Sequence, residues 1–235
     1  NELTVGMVYE DSLFGTTMAK YGHEAAKKYG MKVVSDSSYN HKSTDLTSVI
    51  LRLKAAKPNF LLYPGYFTDQ VLFFRQSKEL RFDFDAAITV GGSGLAKFGE
   101  TLGHNSDAIL TVGFTPLDIN PNFAKGIDKF KDVFNKIMGK DPDGPYPLMN
   151  YMGVNVLYSV IEKAGSLDAE AIRKAALTID IPMGETETGG GVKFDPKTGQ
   201  NTRAITPVAQ WQEGGKKYDT VWPEDAAVAK MIFPF

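Results

Sequence analysis

The chain has 235 residues, of which 43% are hydrophobic and 23% charged, an ordinary globular composition. Its formal net charge of −2 gives no electrostatic reason to expect nucleic acid or an anionic membrane surface as partner. With no cysteine, disulfides, thiolate nucleophiles and cysteine metal sites are excluded, and no apolar run approaches the roughly 20 residues of a membrane helix.

The chain opens directly on an apolar strand, residues 3–9, with no signal segment ahead of it. A helical pattern over 15–29 follows and stops at Gly30, a residue suited to the position just past a helix end. Residues 31–35 read as the next strand. Ser43, Thr44 and Asp45 offer capping side chains, and Leu46, Val49, Ile50 and Leu53 then recur at helical spacing. The apolar run 60–63 is a strand, 69–80 a helix, 86–90 a strand, 95–102 a short helix and 108–114 a fifth strand. Strands separated by helices of this length imply crossover connections, and hence a parallel sheet with both faces covered. Residues 1–118 are therefore expected to form a doubly wound α/β domain.

Beyond residue 118 the pattern changes. Helices are expected from Asn120 with Phe123, Ile127, Phe130, Phe134 and Ile137 on one face, over 149–164, and over 168–177, with a loop at 139–147. Three helices with no strand between them cannot extend the first sheet. The chain then turns β again, with strands at 191–195, 204–212 and 217–222 and a hairpin turn at Gly214-Gly215.

In an open parallel sheet, ligands bind outside the carboxyl ends of the strands. That rule selects residues 10–15, 37–40, 64–67, 91–94 and 114–115. These segments hold aromatics, hydroxyls and glycines, and glycines let backbone N–H groups approach a ligand closely. Such a set suits a small polar or carboxylate-bearing molecule. Catalytic patterns fail. Gly91-Gly92-Ser93-Gly94-Leu95 has leucine where a nucleophile elbow needs glycine. Lys197-Thr198-Gly199 lacks the Ser-x-x-Lys that would accompany it in a β-lactamase. His23, His41 and His104 have no metal or triad spacing and read as solvated or structural. Only Gly15 follows the first strand, so there is no dinucleotide fingerprint. Glu10 and Asp11 read as turn and cap residues. No cofactor and no metal is expected.

The opening Val5-Gly6-Met7-Val8-Tyr9-Glu10-Asp11 with Phe14-Gly15, the segment Leu53-Lys54-Ala55-Ala56-Lys57-Pro58, and Tyr63-Pro64-Gly65-Tyr66 together carry a resemblance. Further along, so do Tyr151, Ile161-Glu162-Lys163-Ala164-Gly165, Ala171-Ile172-Arg173-Lys174-Ala175, and Phe194-Asp195 before Gly199. In order, they resemble the substrate-binding proteins of ABC transporters of the branched-chain amino-acid type, a periplasmic-binding-protein fold. The resemblance implies two lobes that close on a ligand by hinge bending. Residues 1–118 and 204–235 would form lobe two, and 119–203 a mainly helical, partial lobe one whose preceding βα half is absent. Helices over 121–177 would then lack a sheet to cover, and self-association through them is expected.

The resemblance also implies site residues. Phe14 takes the place of the aromatic in the first turn, Tyr66 that of the tyrosine after the third strand, and Tyr146 that of an aromatic in the lobe-one loop. Their neighbours Leu13, Phe67, Gly92 and Gly94 complete the expected set. The fourth turn of amino-acid-binding members holds a carboxylate for the ligand's amino group; here that position is Ser93. An unpaired buried ammonium is costly, so Ser93 favours an organic or aromatic carboxylate over an amino acid. The implied function is a non-enzymatic, periplasmic or otherwise extracytoplasmic solute receptor of an ABC importer, with a small-molecule ligand and a membrane permease as partners. The ligand-binding ectodomain of a sensory receptor is the alternative. A small α/β enzyme is a third reading, for which the sequence offers no reactive group.

Overall fold

A computed structural model describes residues 2–233. The first strand, β1 (Thr4–Glu10), leads into α1 (Leu13–Lys28). Ser12 caps α1 by accepting from the Phe14 amide, and Lys27 and Lys28 lie in its last turn, where the helix dipole favours positive charge. The alternation continues through β2 (Lys32–Tyr39), α2 (Thr47–Ala56), β3 (Phe60–Gly65), α3 (Phe67–Glu79), β4 (Ala86–Gly91), α4 (Ala96–Leu102) and β5 (Leu110–Val112). Three helices follow: α5 (Ile127–Met138), α6 (Tyr146–Ala164) and α7 (Ala169–Ala176). Strands β6 (Val208–Gln212) and β7 (Lys217–Trp222) close the chain.

The seven strands form one sheet in the order β2-β1-β3-β4-β5-β6-β7. Strands β1 to β5 pair in parallel, and β6 runs antiparallel to β5. This is the expected doubly wound sheet. Because crossovers are right-handed, stepping from β1 out to β2 and back to β3 puts α1 on one face and α2 and α3 on the other. The side chains divide accordingly. Val5 and Met7 of β1 pack with Ala26 of α1. Val8, Leu61, Tyr63 and Ala87 pack with Leu46 just ahead of α2, Ile50 and Leu53 of α2, Phe73 and Phe74 of α3 and Phe98 of α4. Full burial of each such aromatic contributes about 1.5–3 kcal/mol.

The chain divides into two compact units. Unit one holds the chain up to Gly113, Val208–Asp219, and the chain from Ala229 onward; unit two holds Phe114–Pro207 and Thr220–Val228. The sequence places the boundaries at 118 and 204 and keeps everything after 204 in lobe two. Thr220–Val228 departs from this for a local reason. Thr220 donates from its amide and its hydroxyl to the Asp118 carbonyl at 3.0 and 2.7 Å, and Ala226 is buried against Ile119, Ala124 and Ile127.

Unit two has two small cores. One gathers Ile119, Ala124, Ile127, Phe130 and Leu148; the other gathers Val160, Ala175, Ile179 and Val192. Helix α6 serves both. Elsewhere it leaves Val154, Leu157 and Tyr158 exposed.

Several elements differ from their expected bounds. Strand β2 extends to Tyr39, because the polar run Ser35 to Ser38 still pairs with β1 at the sheet edge. Helix α5 starts seven residues past Asn120, at Ile127, since Gly126 takes φ +94° and breaks the helical run. Helix α6 begins at Tyr146 with Pro147 in its first turn, so Pro147 opens the helix rather than closing a loop. Residues 191–195 form only isolated bridges, Ile181 with Val192 and Phe194 with Asn201. Among the described residues no helix is long and apolar enough to cross a membrane, and no group of three His, Asp or Glu could hold a metal ion.

Candidate ligand-binding site

In a sheet ordered 2-1-3-4-5 the direction of winding reverses between β1 and β3, and a crevice opens at the carboxyl ends of those two strands. Phe14 follows β1 and Tyr66 follows β3. Their rings stand 5.5 Å apart, tilted by 44°. Tyr66 is 51% exposed, so it is open to a ligand. Leu13, at the start of α1, is exposed beside them.

The β4 end lies directly against this pair. Gly65 and Gly91 are register partners on neighbouring strands. Gly91 holds φ +104°, and a Cβ there would stand 2.3 Å from the Gly65 carbonyl oxygen and 3.5 Å from Cζ of Phe14. A Cβ on Gly92 would stand 2.1 Å from the Phe67 nitrogen. Only glycine permits the β4 turn to lie this close to the β3 turn. Gly92 and Gly94 are buried within the turn, and Phe67 is half-buried, packed against the main core.

Ser93 is fully buried. Its hydroxyl lies 2.6 Å from the Thr89 hydroxyl and accepts from Thr111 at 3.1 Å, while its carbonyl accepts from the Trp211 ring nitrogen at 2.7 Å. The side chain expected to face a ligand is thus engaged with two threonines inside the sheet.

Carboxylates near the strand ends are engaged as well. Glu10 is fully buried and accepts from the Ser12 amide (2.5 Å), the Ser12 hydroxyl (2.9 Å) and the Gly15 amide (2.5 Å), tying down the first turn of α1. Asp11 takes the amide and Nδ1 of His41 at 3.1 and 2.9 Å, and the Asn40 side chain at 2.9 Å. These bonds hold the Asp11 carboxyl below its ordinary range. His41 accordingly has a structural partner, although sequence spacing gave no hint of it: β1 and β2 end side by side.

Asp69 is buried in the first turn of α3. It accepts from the Tyr39 hydroxyl, which itself lies 2.9 Å from the Tyr63 hydroxyl, while buried Oδ1 of Asp69 and Oε1 of Gln70 find no hydrogen-bond partner among the described residues. Burial pushes the Asp69 carboxyl up, opposed by the Tyr39 hydroxyl and by the backbone amides of Asp69, Gln70 and Tyr66. Burial and the neighbouring carboxylate raise both tyrosines as well. The sequence reading missed this cluster, because its members come from three separate elements.

In unit two, Tyr146 heads α6, 42% exposed, with its ring 4.9 Å from that of Phe114. Asp195 accepts from the amides of Lys197 and Thr198 and from the Thr198 hydroxyl, so the Lys197-Thr198-Gly199 tripeptide is an ordinary turn.

The geometry is that of a doubly wound sheet whose carboxyl edge carries aromatic side chains and glycine turns. Residues 2–216 match the family described as periplasmic binding protein, and the chain belongs to that family. It is 34% identical over 235 residues to the Leu/Ile/Val-binding protein homolog 7 of Brucella abortus (strain 2308), covering 99% of this chain and 58% of the relative. Homolog 8 of the same strain is 32% identical over 99% of this chain and 57% of its own length. The chain thus spans a little over half the length of these relatives. Among solved structures, a leucine binding protein from Thermotoga maritima MSB8 superposes with a TM-score of 0.77 at 19% identity, over 92% of this chain and 59% of that one. A putative branched-chain amino acid ABC transporter protein from Silicibacter pomeroyi gives 0.81 at 16% identity, over 99% and 62%. These two establish the likeness of fold.

Proposed function

We propose that the chain is the solute-capturing part of an ABC importer's receptor. It works outside the cytoplasm without catalysis and hands its solute to a membrane permease. The observation that carries this reading is the Phe14–Tyr66 pair at the winding reversal, with Tyr66 half exposed over the glycine turn of β4. Leu13, Gly92 and Gly94 line that turn region, and Tyr146 with Phe114 is the aromatic pair unit two would offer. The names of the relatives, Leu/Ile/Val-binding and leucine binding, support a small organic solute.

The solute we propose is a carboxylate without an α-amino group. Glu10 is spent on α1, Asp11 on His41 and Asn40, Asp69 on Tyr39, and Ser93 on two threonines. Glu10, Asp11 and Ser93 are not left to pair with an ammonium, and burial favours the neutral form of Asp69, so an ammonium bound there would lack a counter-charge and is disfavoured. Tyr66 and backbone N–H groups are the donors that would meet a carboxylate.

A thermal-shift screen against amino acids, aliphatic and aromatic carboxylates, and sugars tests both statements. A ligand at about 100 times its Kd adds about 2.7 kcal/mol. A shift with carboxylates alone supports the reading, and Tyr66→Ala then weakens binding by about tenfold or more. A shift with leucine or valine and none with simple carboxylates overturns the solute class.

The expected self-association has its physical basis in the exposed Val154, Leu157 and Tyr158 of α6. We propose a second copy of this chain as the occupant of that face. Light scattering of a dimer that Leu157→Ser dissociates would support it, and a concentration-independent monomer would overturn it.

A further inference from the structure

We propose that unit one carries a second binding site, separate from the strand-end crevice, for a small carboxylate with an apolar body. The site is the groove between the loop ahead of α2 and the outer face of α3. It has a volume of about 320 Å³ and is lined by Ser43 and Thr44 from the loop and by Phe67, Thr68, Val71, Leu72 and Arg75 from the helix. The α3 positions fall at i, i+1, i+4, i+5 and i+8, which is one continuous face of the helix. The volume sits at the lower end of the about 300–1,000 Å³ usual for small-molecule sites.

The lining has the make-up of a ligand site rather than of an ordinary surface furrow. Its floor is apolar and fixed: Phe67 and Leu72 pack against the main core, and Val71 is buried within it. A few polar groups stand around that floor. Ser43, Thr44 and Thr68 supply hydroxyls, and Arg75 supplies the charge.

Arg75 is what selects an anion. A guanidinium carries five N–H donors in a rigid fork matched to a carboxylate. Here it makes one long hydrogen bond, to the Thr101 carbonyl at 3.4 Å, and no ion pair with a carboxylate is found for it among the described residues. Asp45, the acid beside the loop, is turned to other partners. Its Oδ1 accepts from the Thr47 amide and from the Gln76 side chain, both at 2.9 Å. An incoming carboxylate that forks onto Arg75 would lay its hydrocarbon body along Leu72, Val71 and Phe67, with the hydroxyls closing the far end. A cation gains nothing at such a site, and a neutral polar solute would leave the apolar floor uncovered.

The test is a residue-resolved amide NMR titration of the intact chain with 4-methylpentanoate, alongside its uncharged amide. The expected result is saturable shifts at residues 43–44 and 68–75, with the uncharged amide at least about tenfold weaker. Arg75→Gln should weaken the acid by at least about tenfold at those residues while leaving any response around Phe14 unchanged. Arg75→Lys, which keeps the charge and loses the fork, should fall between. The proposal is overturned if the acid and its amide perturb 43–44 and 68–75 equally, if the only saturable shifts lie around Phe14 and Tyr66, or if nothing saturates at millimolar concentration. The comparison of acid with amide on the unaltered chain decides the matter even where a variant folds poorly.

Discussion

Unit one and unit two bury their apolar residues by different means. In unit one, parallel strands gather Val8, Leu61 and Ala87 under the helices of one face as an extensive core, while Val5 and Met7 pack with Ala26 on the other. In unit two the helices lack that template. The core splits into two clusters, and α6 bridges them while leaving Val154, Leu157 and Tyr158 in solvent. A sheet turns residues distant in sequence into immediate neighbours; a set of helices must find each contact separately. The strand-end crevice therefore stands on the unit that holds the sheet.

Substitutions sharpen this contrast. Phe73→Ala should have the largest effect, about 3–5 kcal/mol in denaturant unfolding, because Phe73 is fully enclosed between Tyr63 and Phe74. Next comes Gly92→Ala. The new methyl meets the Phe67 backbone, which cannot move aside as a side chain would, and a loss of about 1–3 kcal/mol is expected. Ligand response at Tyr66 should fall with it. Gly153→Ala on α6 should act the other way: a Cβ there meets nothing within 4 Å, and a gain of about 1 kcal/mol is expected. A loss at Gly153 would mean that this face of α6 is covered, and would break the comparison.

The smallest effect distinguishes the units by pH. Burial raises Asp69 above its ordinary 3.8, so its neutral form is the one the fold favours. Its contribution is fully present below 3.8 and is lost as pH rises through the raised value. In unit two, Asp180 is lowered by Lys193 and Arg203, and Asp195 by the amides of Thr198 and Lys197. Their contributions are present above 3.8 and fade as pH falls through the lowered values. Hydrogen exchange followed as pH falls below 3.8 should therefore show unit two opening first. The stability of Asp69→Asn relative to the unaltered chain should rise with pH over the window above 3.8. A difference that does not change with pH would remove Asp69 from the account.

Much of unit one was legible in the sequence, since an alternation of short apolar runs with capped helices admits few arrangements. The expected fold class and parallel strands agree with the structure. The misses have local causes. Strand β2 hides behind serines because an edge strand needs little apolar character on its open side. Pro147 signals a helix start and a loop end with equal force until α6 is in view. The strand-end rule, which depends only on order along the chain, selects the segments that hold Phe14 and Tyr66, and the resemblance singles out the two residues. What Ser93 faces could not be read, because Thr111 reaches it from the neighbouring strand β5, beside Thr89 of β4.

The chain leaves unit one at Gly113, returns at Val208, leaves again after Asp219 within β7 and returns at Ala229. A ribosome releasing this chain must therefore finish most of unit two before unit one can be completed. Until Trp211 emerges, Phe98 lacks the ring it packs against, and β5 waits as an open sheet edge without β6. Cutting the chain at a single point cannot yield both units intact, and a fragment ending at residue 113 should be prone to pairing through that bare edge.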